Sequence, residues 1–520
     1  MRKTNRKLLA LVMSLLAVLM LFACGNEESA QPMGNEESEK ENEAGVKVRD
    51  DLVIVMESEA PTLHPYDHTA VTSGYMNSLT YNALFVTDPV TLEPVPDLCE
   101  SYEQADELTW IFKIYENVAF HDGSHMTAAD VVASMEYARE YATTKQYSSF
   151  WQSAEQVGEY SIKVVTKEPY ALTLLDMASL KVVPKALIES GNDFNLNPIG
   201  SGPYRFVSQV LGEKVEFESF DGYFNAEHRA KIRSLTWKII PEGSSRTIAL
   251  EAREADFIIE VETNDLERLS GSEGIEVQSV GGTRMNYFTL NNERTPFDNK
   301  DFRKGINSAI DREAVLAVAL NGEGKVATAM CPTVFPGTSE ECVEGYDPQK
   351  AQQYFDASGI DPKTIKFSCI VSNDAARRAA EVVQAYLQEF GIEMSIESLD
   401  YAAWLADVMG GNCDSAITGY TSSNLARYLS GTFHTSAIDA ANQARVRDSY
   451  MDEKIDMALG VTDPDKANEV YRDVTAYINE LTPYVPLYES VVTRAYNSAL
   501  EGVVVGASGT VHFEDVYWIN

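Results

Sequence analysis

The sequence lacks the motifs that identify several common enzyme classes. Its 520 residues contain no G-x-S-x-G nucleophile turn, no Walker A phosphate loop and no H-E-x-x-H zinc motif. No C-x-x-C pair occurs, so the sequence indicates neither a zinc knuckle nor a thioredoxin-type redox site. Spacing cannot identify an acid–base pair either, because 79 acidic residues offer carboxylate pairs throughout the chain. We assign no catalytic residue and keep a secreted hydrolase as a minor alternative.

Positive charge and histidine are scarce. Lysine and arginine number 42 against 79 acidic residues, and the formal charge of −37 disfavours nucleic acid and anionic lipid as partners. Two H-x-x-x-H pairs occur, but Pro65 and Gly123 interrupt the regular helix that would bring both rings to one metal. We expect no metal site and no cofactor, and keep His64 with His68 as an alternative metal site. His121 is expected to make a structural hydrogen bond.

Long apolar runs are absent except at the N terminus. There, basic residues precede an apolar run at residues 8–22, which is shorter than the roughly 20 residues of a membrane-spanning helix. Ala23 and Cys24 follow and complete a lipobox. We predict that residues 1–23 are a signal peptide and that Cys24 carries palmitate-type acyl chains. The protein is then extracytoplasmic and anchored to the cell membrane by lipid. An ordinary signal peptide with a chance cysteine is the alternative.

The composition changes after Cys24. Residues 24–48 are mostly polar, which predicts a disordered tether. A β-branched run at residues 51–55 predicts the first strand. The roughly 470 remaining residues exceed the size of a single core and predict two lobes. Cys331 and Cys342 flank a loop rich in Pro, Gly and Thr, and whether they form a disulfide stays open.

Four local patterns indicate structure in the body of the chain. Residues 109–114 alternate in polarity and predict a half-buried strand. Thr127 and Asp130 have the spacing of a helix cap. Residues 197–204 hold two glycines and two prolines, which indicates a tight backbone crossing. Residues 481–487 carry two prolines where a helix must stop, which indicates a return crossing between lobes.

Several segments resemble one protein family. The stretch from Leu98 to Ser134, which contains Phe-His-Asp-Gly, is similar to the signature region of the extracellular solute-binding proteins of family 5. Residues 198–206 resemble the family's Pro-Ile-Gly-Thr-Gly-Pro-Tyr element, with Ser201 in the Thr position. Residues 302–313 resemble the family helix that runs into Ala-Ile-Asp-Arg. The similar segments lie in family order along most of the chain.

The resemblance implies an α/β fold of the two-lobed periplasmic-binding-protein type, with an inserted subdomain and a ligand cleft at the hinge. Mapped here, lobe I takes residues 49–288 and 490–520, with the inserted subdomain at about 80–195, and lobe II takes 289–489. The resemblance also implies a monomeric receptor of an ABC importer, not an enzyme, which delivers oligopeptides or dipeptides to a membrane permease. A nickel chelate, or another small organic solute such as an oligosaccharide, is the alternative ligand.

The resemblance further places a candidate ligand site. In peptide-binding relatives, extended backbone from both lobes pairs with the ligand. By position the lobe I segment is Ala70, Val71, Thr72 and Ser73, and the lobe II segment contains Gly419, Tyr420, Thr421 and Ser423. Trp404 and Arg427 are further candidates for ligand contact, because indole rings suit amphipathic pockets and guanidinium groups pair with carboxylates. The alternatives are packing in the core or between the lobes for Trp404, and a solvated face or a local salt bridge for Arg427.

Two positions in the lobe II segment depart from the family pattern. Tyr420 replaces the usual Trp, and Ser423 stands where peptide receptors commonly carry the Asp that pairs with the ligand's ammonium. A buried ammonium without a carboxylate is costly. Either another acid supplies the charge, with Asp400, Asp407 and Asp414 nearby in sequence, or the ligand has no free amino terminus.

Overall fold

The computed structural model describes residues 39–41, 47–68, 70–341 and 343–519. The predicted signal peptide, Cys24 and most of the predicted tether lie outside these residues. In the part of the chain that is described, no helix is both long and apolar enough to cross a membrane. Part of the predicted tether is paired, since residues 39–41 and 47–49 form two short antiparallel strands. Composition does not predict this pairing, because it uses backbone groups that every residue carries.

The strands are numbered in chain order. They are β1 Glu39–Glu41, β2 Lys47–Arg49, β3 Asp51–Met56, β4 Phe85–Thr87, β5 Pro94–Pro96, β6 Cys99–Gln104, β7 Thr109–Ile114, β8 Trp151–Gly158, β9 Ser161–Thr166, β10 Tyr204–Val210, β11 Lys214–Ser219, β12 Ser234–Ile239, β13 Phe257–Ile258, β14 Ile275–Leu290, β15 Lys325–Val326, β16 Lys366–Val371, β17 Glu393–Ser398, β18 Ser415–Thr421, β19 Val485–Asn497, β20 Leu500–Glu501 and β21 Tyr517–Trp518.

The helices of the described residues are numbered in the same way. They are α1 Val71–Thr80, α2 Ala128–Ala138, α3 Lys145–Ser148, α4 Thr173–Ser179, α5 Lys185–Ser190, α6 Gly243–Glu251, α7 Leu266–Ser270, α8 Lys300–Ala309, α9 Arg312–Leu320, α10 Pro348–Ser358, α11 Asp374–Glu389, α12 Tyr401–Met409, α13 Leu425–Thr432, α14 Ser449–Leu459 and α15 Pro464–Leu481. Short 3-10 turns occur at Ala142–Thr144, Thr263–Asp265, Pro362–Thr364 and Thr435–Ala437.

One mixed sheet runs through both lobes. Its order is β10-β11-β12-β3-β13-β19-β14-β18-β16-β17, and β15 pairs with β19. The strands β10, β11, β12, β3 and β13 belong to the first lobe, while β18, β16 and β17 belong to the second. The two long strands β14 and β19 run antiparallel and join the lobes. Helices and apolar clusters cover both faces of the sheet, so the predicted two-lobed α/β fold is confirmed.

The lobes meet where β14 and β19 lose register. Gly281 pairs with Val491, but the next pair along is Met285 with Glu489, so β14 bulges between them. Gly282 lies in this bulge, where an ideal Cβ would come within 2.8 Å of a carbonyl oxygen of β19. The bulge precedes the boundary predicted at residues 288/289. On the other strand the predicted boundary, 489/490, lies at the register break.

A separate sheet of order β6-β7-β9-β8 lies within the range predicted for the inserted subdomain. Trp110, Phe112 and Ile114 point to its buried side, so β7 has the alternation that the sequence predicts. The helix α2 begins after Thr127, and the carboxylate of Asp130 accepts from the Thr127 backbone N–H at 2.8 Å. The predicted cap is therefore confirmed.

The glycine-rich crossing packs against the end of α1. Gly202 N–H donates to Thr80 O at 2.9 Å, and the ring nitrogen Nε2 of His121 lies 3.0 Å from Gly202 O. Burial lowers the pKa of His121 to about 4, so this ring is neutral and donates to the carbonyl. The structural hydrogen bond expected of His121 is confirmed.

We expect Gly202→Ala to destabilise the protein. An ideal Cβ on Gly202 would lie 2.3 Å from Leu79 O and 2.6 Å from the Thr80 carbonyl carbon, and backbone cannot move aside cheaply. Overpacking of this kind costs about 1–3 kcal/mol of unfolding free energy. Urea unfolding followed by circular dichroism measures the loss. Gly345→Ala is the matched control, because nothing lies within 4 Å of its Cβ position. Equal midpoints for the two variants would contradict the prediction.

The return crossing follows the longest described helix of lobe II. Helix α15 ends at Leu481, and Thr482 has a positive φ of 49° before β19 begins. The prolines at 483 and 486 therefore follow the helix, as the sequence predicts. Beyond β19, the short strand β20 ends at Glu501, and Gly502 turns the chain with φ +77°.

The described cysteines are buried thiols. Cys99, Cys331, Cys369 and Cys413 form no disulfide in the described part of the chain. Burial raises the pKa of Cys99 and of Cys369 to about 12, so these thiols are unreactive. Cys342, the suggested partner of Cys331, lies outside the described residues, and that bridge stays a prediction.

Candidate functional site

Strand directions place a gap between the lobes at the hinge. In lobe II, β18 runs antiparallel to β14 and therefore ends at the crossing, and β16 runs parallel to β18. In lobe I, β13 runs antiparallel to β19 and also ends at the crossing, with β3 and β12 parallel to it. The carboxyl ends of the parallel strands of both lobes thus face one gap, and α/β proteins bind ligands at such ends.

The lobe II candidate segment forms one wall of this gap. Gly419, Tyr420 and Thr421 are the last residues of β18, and they pair with Asn286, Met285 and Arg284 of β14. The Gly419 position has no room for a side chain, because a Cβ would lie 2.7 Å from Arg284 Nη2 and 2.8 Å from Asn286 Oδ1. Ser423 follows the strand and is exposed.

Tyr420 turns away from Gly419, toward the helices of lobe II. Its ring is half-buried and packs edge-on against Tyr428, with 5.7 Å between ring centroids. Its hydroxyl lies over Gly431, where a Cβ would come within 2.8 Å of it. The ring therefore supports the wall of the gap, and its remaining exposed part is available to a ligand.

The prediction of an extended lobe I segment is wrong. Ala70 is extended, but Val71, Thr72 and Ser73 form the first turn of α1. The helix forms because Met76 and Leu79 lie on one helical face and bury against the sheet, a periodicity that the resemblance to relatives did not weigh.

The start of α1 nevertheless lies beside the carboxyl end of β3. Ser73 Oγ donates to Thr62 O at 2.7 Å, and Thr72 Oγ1 donates to Glu59 O at 3.2 Å, so both hydroxyls hold the loop after β3. Val71 is 62% exposed. Ala70 and Val71 thus stay available at the gap, whereas the hydroxyl of Ser73 is engaged.

Trp404 occupies a core position. It lies on α12, is 7% exposed and packs with Ile370, Val408 and Ala416 under the lobe II sheet. One face of the indole stacks on Tyr401, with 5.6 Å between centroids. An apolar residue on a helix can serve core packing as well as ligand binding. The chemistry of the indole ring alone therefore no longer indicates that Trp404 contacts a ligand.

Arg427 is engaged by a carboxylate of the other lobe. Its Nη2 forms an ion pair with Asp176 on α4 of the inserted subdomain, and its Nη1 donates to Gln146 O at 3.1 Å. Burial raises the pKa of Asp176, and the guanidinium of Arg427 opposes that rise. The counter-ion of Arg427 in this structure therefore belongs to the protein, and its contact with a ligand carboxylate stays a prediction.

Other contacts join lobe II to the inserted subdomain at the same place. Ala171 N–H donates to Leu459 O at 2.8 Å. Leu92 and Leu172 are buried in the apolar cluster of lobe II that contains Tyr428. This interface, Asp176–Arg427 with its apolar surround, holds the two lobes together beside the gap.

Two of the three nearby aspartates, Asp400 and Asp414, are engaged elsewhere and do not replace the acid that is missing at Ser423. Asp414 precedes β18 and pairs with Arg294 at 2.8 Å. Seven residues of strand place it about 23 Å from Thr421, at the opposite end of β18. Asp400 caps α12, where its carboxylate accepts from a backbone N–H at 3.0 Å.

The histidines of the alternative metal site are used within the protein. His64 Nδ1 accepts from the backbone N–H groups of Tyr66 and Asp67 at 3.1 and 3.0 Å, and Nε2 lies 3.1 Å from the Tyr137 hydroxyl. Burial lowers the pKa of both His64 and His68. In the described ranges, no group of three or more His, Cys, Asp or Glu side chains is placed to hold a metal.

A surface pocket of about 550 Å³ lies in the inserted subdomain, away from the gap. Arg139, Lys145 and Lys167 contribute to its lining. Both lysines are exposed, while Arg139 donates to the backbone oxygens of Ser148 and Trp151 at 3.3 and 2.5 Å. Since none of the candidate site residues lines it, we assign the site to the gap.

Comparison with known proteins identifies the family. Residues 93–437 match the model for bacterial extracellular solute-binding proteins, family 5. The chain belongs to this family. A curated relative, the glutathione-binding protein GsiB of Shigella boydii serotype 4 (strain Sb227), is 26% identical over 484 residues, which are 89% of this chain and 94% of that protein.

Solved structures have the same fold as this family 5 protein. HbpA2 from Haemophilus parasuis aligns with a TM-score of 0.83 and 21% identity over 90% of this chain and 100% of that chain. The periplasmic binding protein DppA from Helicobacter pylori, solved with the peptide STSA, aligns with a TM-score of 0.73 and 23% identity over 90% and 98%. The resemblance read from the sequence is therefore confirmed.

Sequence patterns did not predict two charged residues of this family 5 protein that the structure places at the lobe interface and at the hinge. Asp176 stands alone among apolar residues at 174–178, and an isolated acid in an apolar stretch is a usable signal for a buried ion pair. Arg284 carries no local signal: it follows two glycines at the hinge, and only the pairing of β14 with β18 brings it to Gly419.

Proposed function

We propose that the protein is the extracytoplasmic receptor of an ABC importer, captures peptides and delivers them to a membrane permease. The observation that carries this proposal is the direction of the parallel strands, whose carboxyl ends in both lobes point toward the hinge, with Gly419–Thr421 at the end of β18. Closing two lobes over a ligand removes water and strengthens each hydrogen bond made inside. It also gives a permease two shapes to distinguish.

The ligand class rests on the relatives. One is named for glutathione, itself a peptide, and another was solved with the peptide STSA. Backbone at the end of β18 suits pairing with a peptide strand. A nickel chelate has less support, since His64 is engaged by neighbouring backbone and hydroxyl groups.

The remaining parts of the proposal follow from the sequence. Cys24 is the lipid attachment site that keeps the receptor at the membrane beside its permease. The protein acts as a monomer, binds no nucleic acid and performs no chemistry on what it binds. Its acidic surface serves solubility.

Native mass spectrometry tests the ligand class. We expect residues 25–520, purified without denaturation, to carry ligands whose fragments are amino-acid residues. Added glutathione or Ser-Thr-Ser-Ala should bind one to one, with a dissociation constant of about micromolar or below. The same protein refolded from denaturant is the control, because unfolding releases a trapped ligand. A single non-peptide or metal-containing adduct would exclude peptides, and cleavage of a bound peptide would exclude a pure receptor.

A further inference from the structure

Arg284 is a half-buried cation at the gap without an acidic partner. It lies in the bulge of β14 and pairs in register with Thr421. Its Nε donates to Asn286 Oδ1 at 3.1 Å and its Nη1 to Thr421 Oγ1 at 3.4 Å, and both partners are neutral. Among the described residues, no carboxylate forms an ion pair with it. A partly desolvated charge without a counter-ion favours binding of an anion.

The guanidinium is held in one orientation. Asn286, which accepts from Arg284 Nε, donates through Nδ2 to Ser490 Oγ at 2.9 Å, so β19 fixes Asn286 and Asn286 fixes Arg284. Gly419 provides the space for this arrangement, because a Cβ there would lie 2.7 Å from Arg284 Nη2. Supporting hydrogen bonds of this kind preorganise a binding group.

The hydrogen bonds of Arg284 within the protein leave part of its guanidinium available to a ligand. A guanidinium has five N–H groups, and the two hydrogen bonds of Arg284 use one on Nε and one on Nη1. The remaining donors include both N–H groups of Nη2. Adjacent guanidinium nitrogens match the two oxygens of a carboxylate in a bidentate pair.

Other arginines near the gap are already engaged. Arg427 pairs with Asp176, and Arg494 donates to the backbone oxygens of Ile259 and Gly509. The candidate segments contribute no charge, since residues 70–73 and 419–423 are all neutral. Arg284 is thus the charge that distinguishes this wall of the gap.

We infer that Arg284 binds a carboxylate of the captured ligand. The inference rests on the proposed function and specifies its substrate class: peptides with an accessible acidic group, recognised through that group and not through an ammonium paired at Ser423. The carboxylate is either the peptide's C-terminal group or an acidic side chain.

Matched peptides and variants test the assignment. Isothermal titration compares trialanine with its C-terminal amide, and Ala-Glu-Ala-amide with Ala-Gln-Ala-amide, on the wild type, Arg284→Gln and Arg284→Lys. We expect the wild type to bind the acidic member of at least one pair about tenfold or more tighter than the neutral member. Arg284→Gln should bind both members equally weakly. Arg284→Lys should keep part of the preference, because it keeps the charge and loses the fork.

Arg205→Gln is the control variant, since Arg205 pairs with Glu218 on the far edge of the sheet and should leave the preference intact. Circular dichroism checks that each variant folds. The pair that shows the preference tells the C-terminal carboxylate from the side-chain one. Equal affinity for acid and amide in the wild type would overturn the role of Arg284 and leave the peptide receptor standing.

Native mass spectrometry of the wild type and Arg284→Gln, purified side by side, distinguishes failure of the Arg284 assignment from failure of the peptide-receptor proposal. A retained non-peptide acid that the variant loses would support Arg284 and exclude peptides. A retained ligand without an acidic group would overturn the assignment. A wild type that retains nothing and binds none of the four peptides would overturn both proposals.

Discussion

We expect the replacement of Cys24 by serine to abolish the incorporation of labelled palmitate into the protein. The predicted lipobox ends at Cys24, and its thiol is the group that would receive the acyl chains. Two or three chains anchor a protein stably, whereas a single chain is marginal. If Cys24 is acylated as the sequence predicts, these chains attach the mature protein to the membrane.

Labelling of cells that express each variant, followed by immunoprecipitation, measures this effect. Cys99→Ser is the matched control: its thiol is buried in the inserted subdomain, so the label should stay at the wild-type level. Mass spectrometry of the wild type should find an acylated N terminus at Cys24. An unlabelled wild type that begins at another residue would instead identify an ordinary signal peptide with a chance cysteine.

Local patterns predicted the elements that depend on near neighbours. The alternation at Thr109–Ile114, the carboxylate of Asp130 three residues after Thr127 and the glycines at 200 and 202 each state a geometric need within a few residues. These local geometries form in the same way wherever the segment lies in the fold. The order of these segments along the chain, which resembles that of the family, then predicted the two-lobed fold.

The candidate site was less predictable, because its contacts join distant parts of the chain. Arg427 and Asp176 are 251 residues apart, so no spacing shows that they pair. Trp404 was chosen for its chemistry, yet indole chemistry also suits a core. The segment Ala70–Ser73 was placed by resemblance, while Met76 and Leu79 dictate the helix that includes most of it.

The same long-range pair gives the second prediction: we expect Arg427→Gln to weaken ligand binding by about two to three and a half orders of magnitude. Asp176 is 2% exposed and lies in the interface that joins lobe II to the inserted subdomain. Without Arg427, the lobes can close only by burying that carboxylate without a counter-ion, since the Tyr170 hydroxyl that donates to it at 2.9 Å is neutral. Removing one partner of a buried pair costs about 3–5 kcal/mol, and every 1.4 kcal/mol is tenfold in affinity. Isothermal titration with the peptide found by native mass spectrometry measures the loss.

The loss should depend on pH in a defined direction. Burial raises the pKa of Asp176 above its ordinary value of 3.8 even with the arginine present, and Arg427→Gln removes the opposing charge. Closure of the variant then favours the protonated carboxyl. The loss of binding affinity in Arg427→Gln is therefore complete at pH values above the raised pKa of Asp176, and it disappears as the pH falls toward 3.8. The affinity of the variant should therefore improve on acidification relative to the wild type.

Two further variants show whether the pair acts through closure. Arg427→Met combined with Asp176→Leu replaces the ion pair by apolar side chains and should restore most of the affinity, because the cost lies in the unpaired charge. Arg447→Gln breaks an exposed pair with Glu293 inside lobe II. It should weaken the free energy of ligand binding by no more than about 1 kcal/mol. If Arg427→Gln folds and binds as tightly as Arg447→Gln at neutral pH, the Asp176–Arg427 pair does not control closure. If the double variant stays weak, the guanidinium itself is needed, and the peptide must reach Arg427 as well as Arg284.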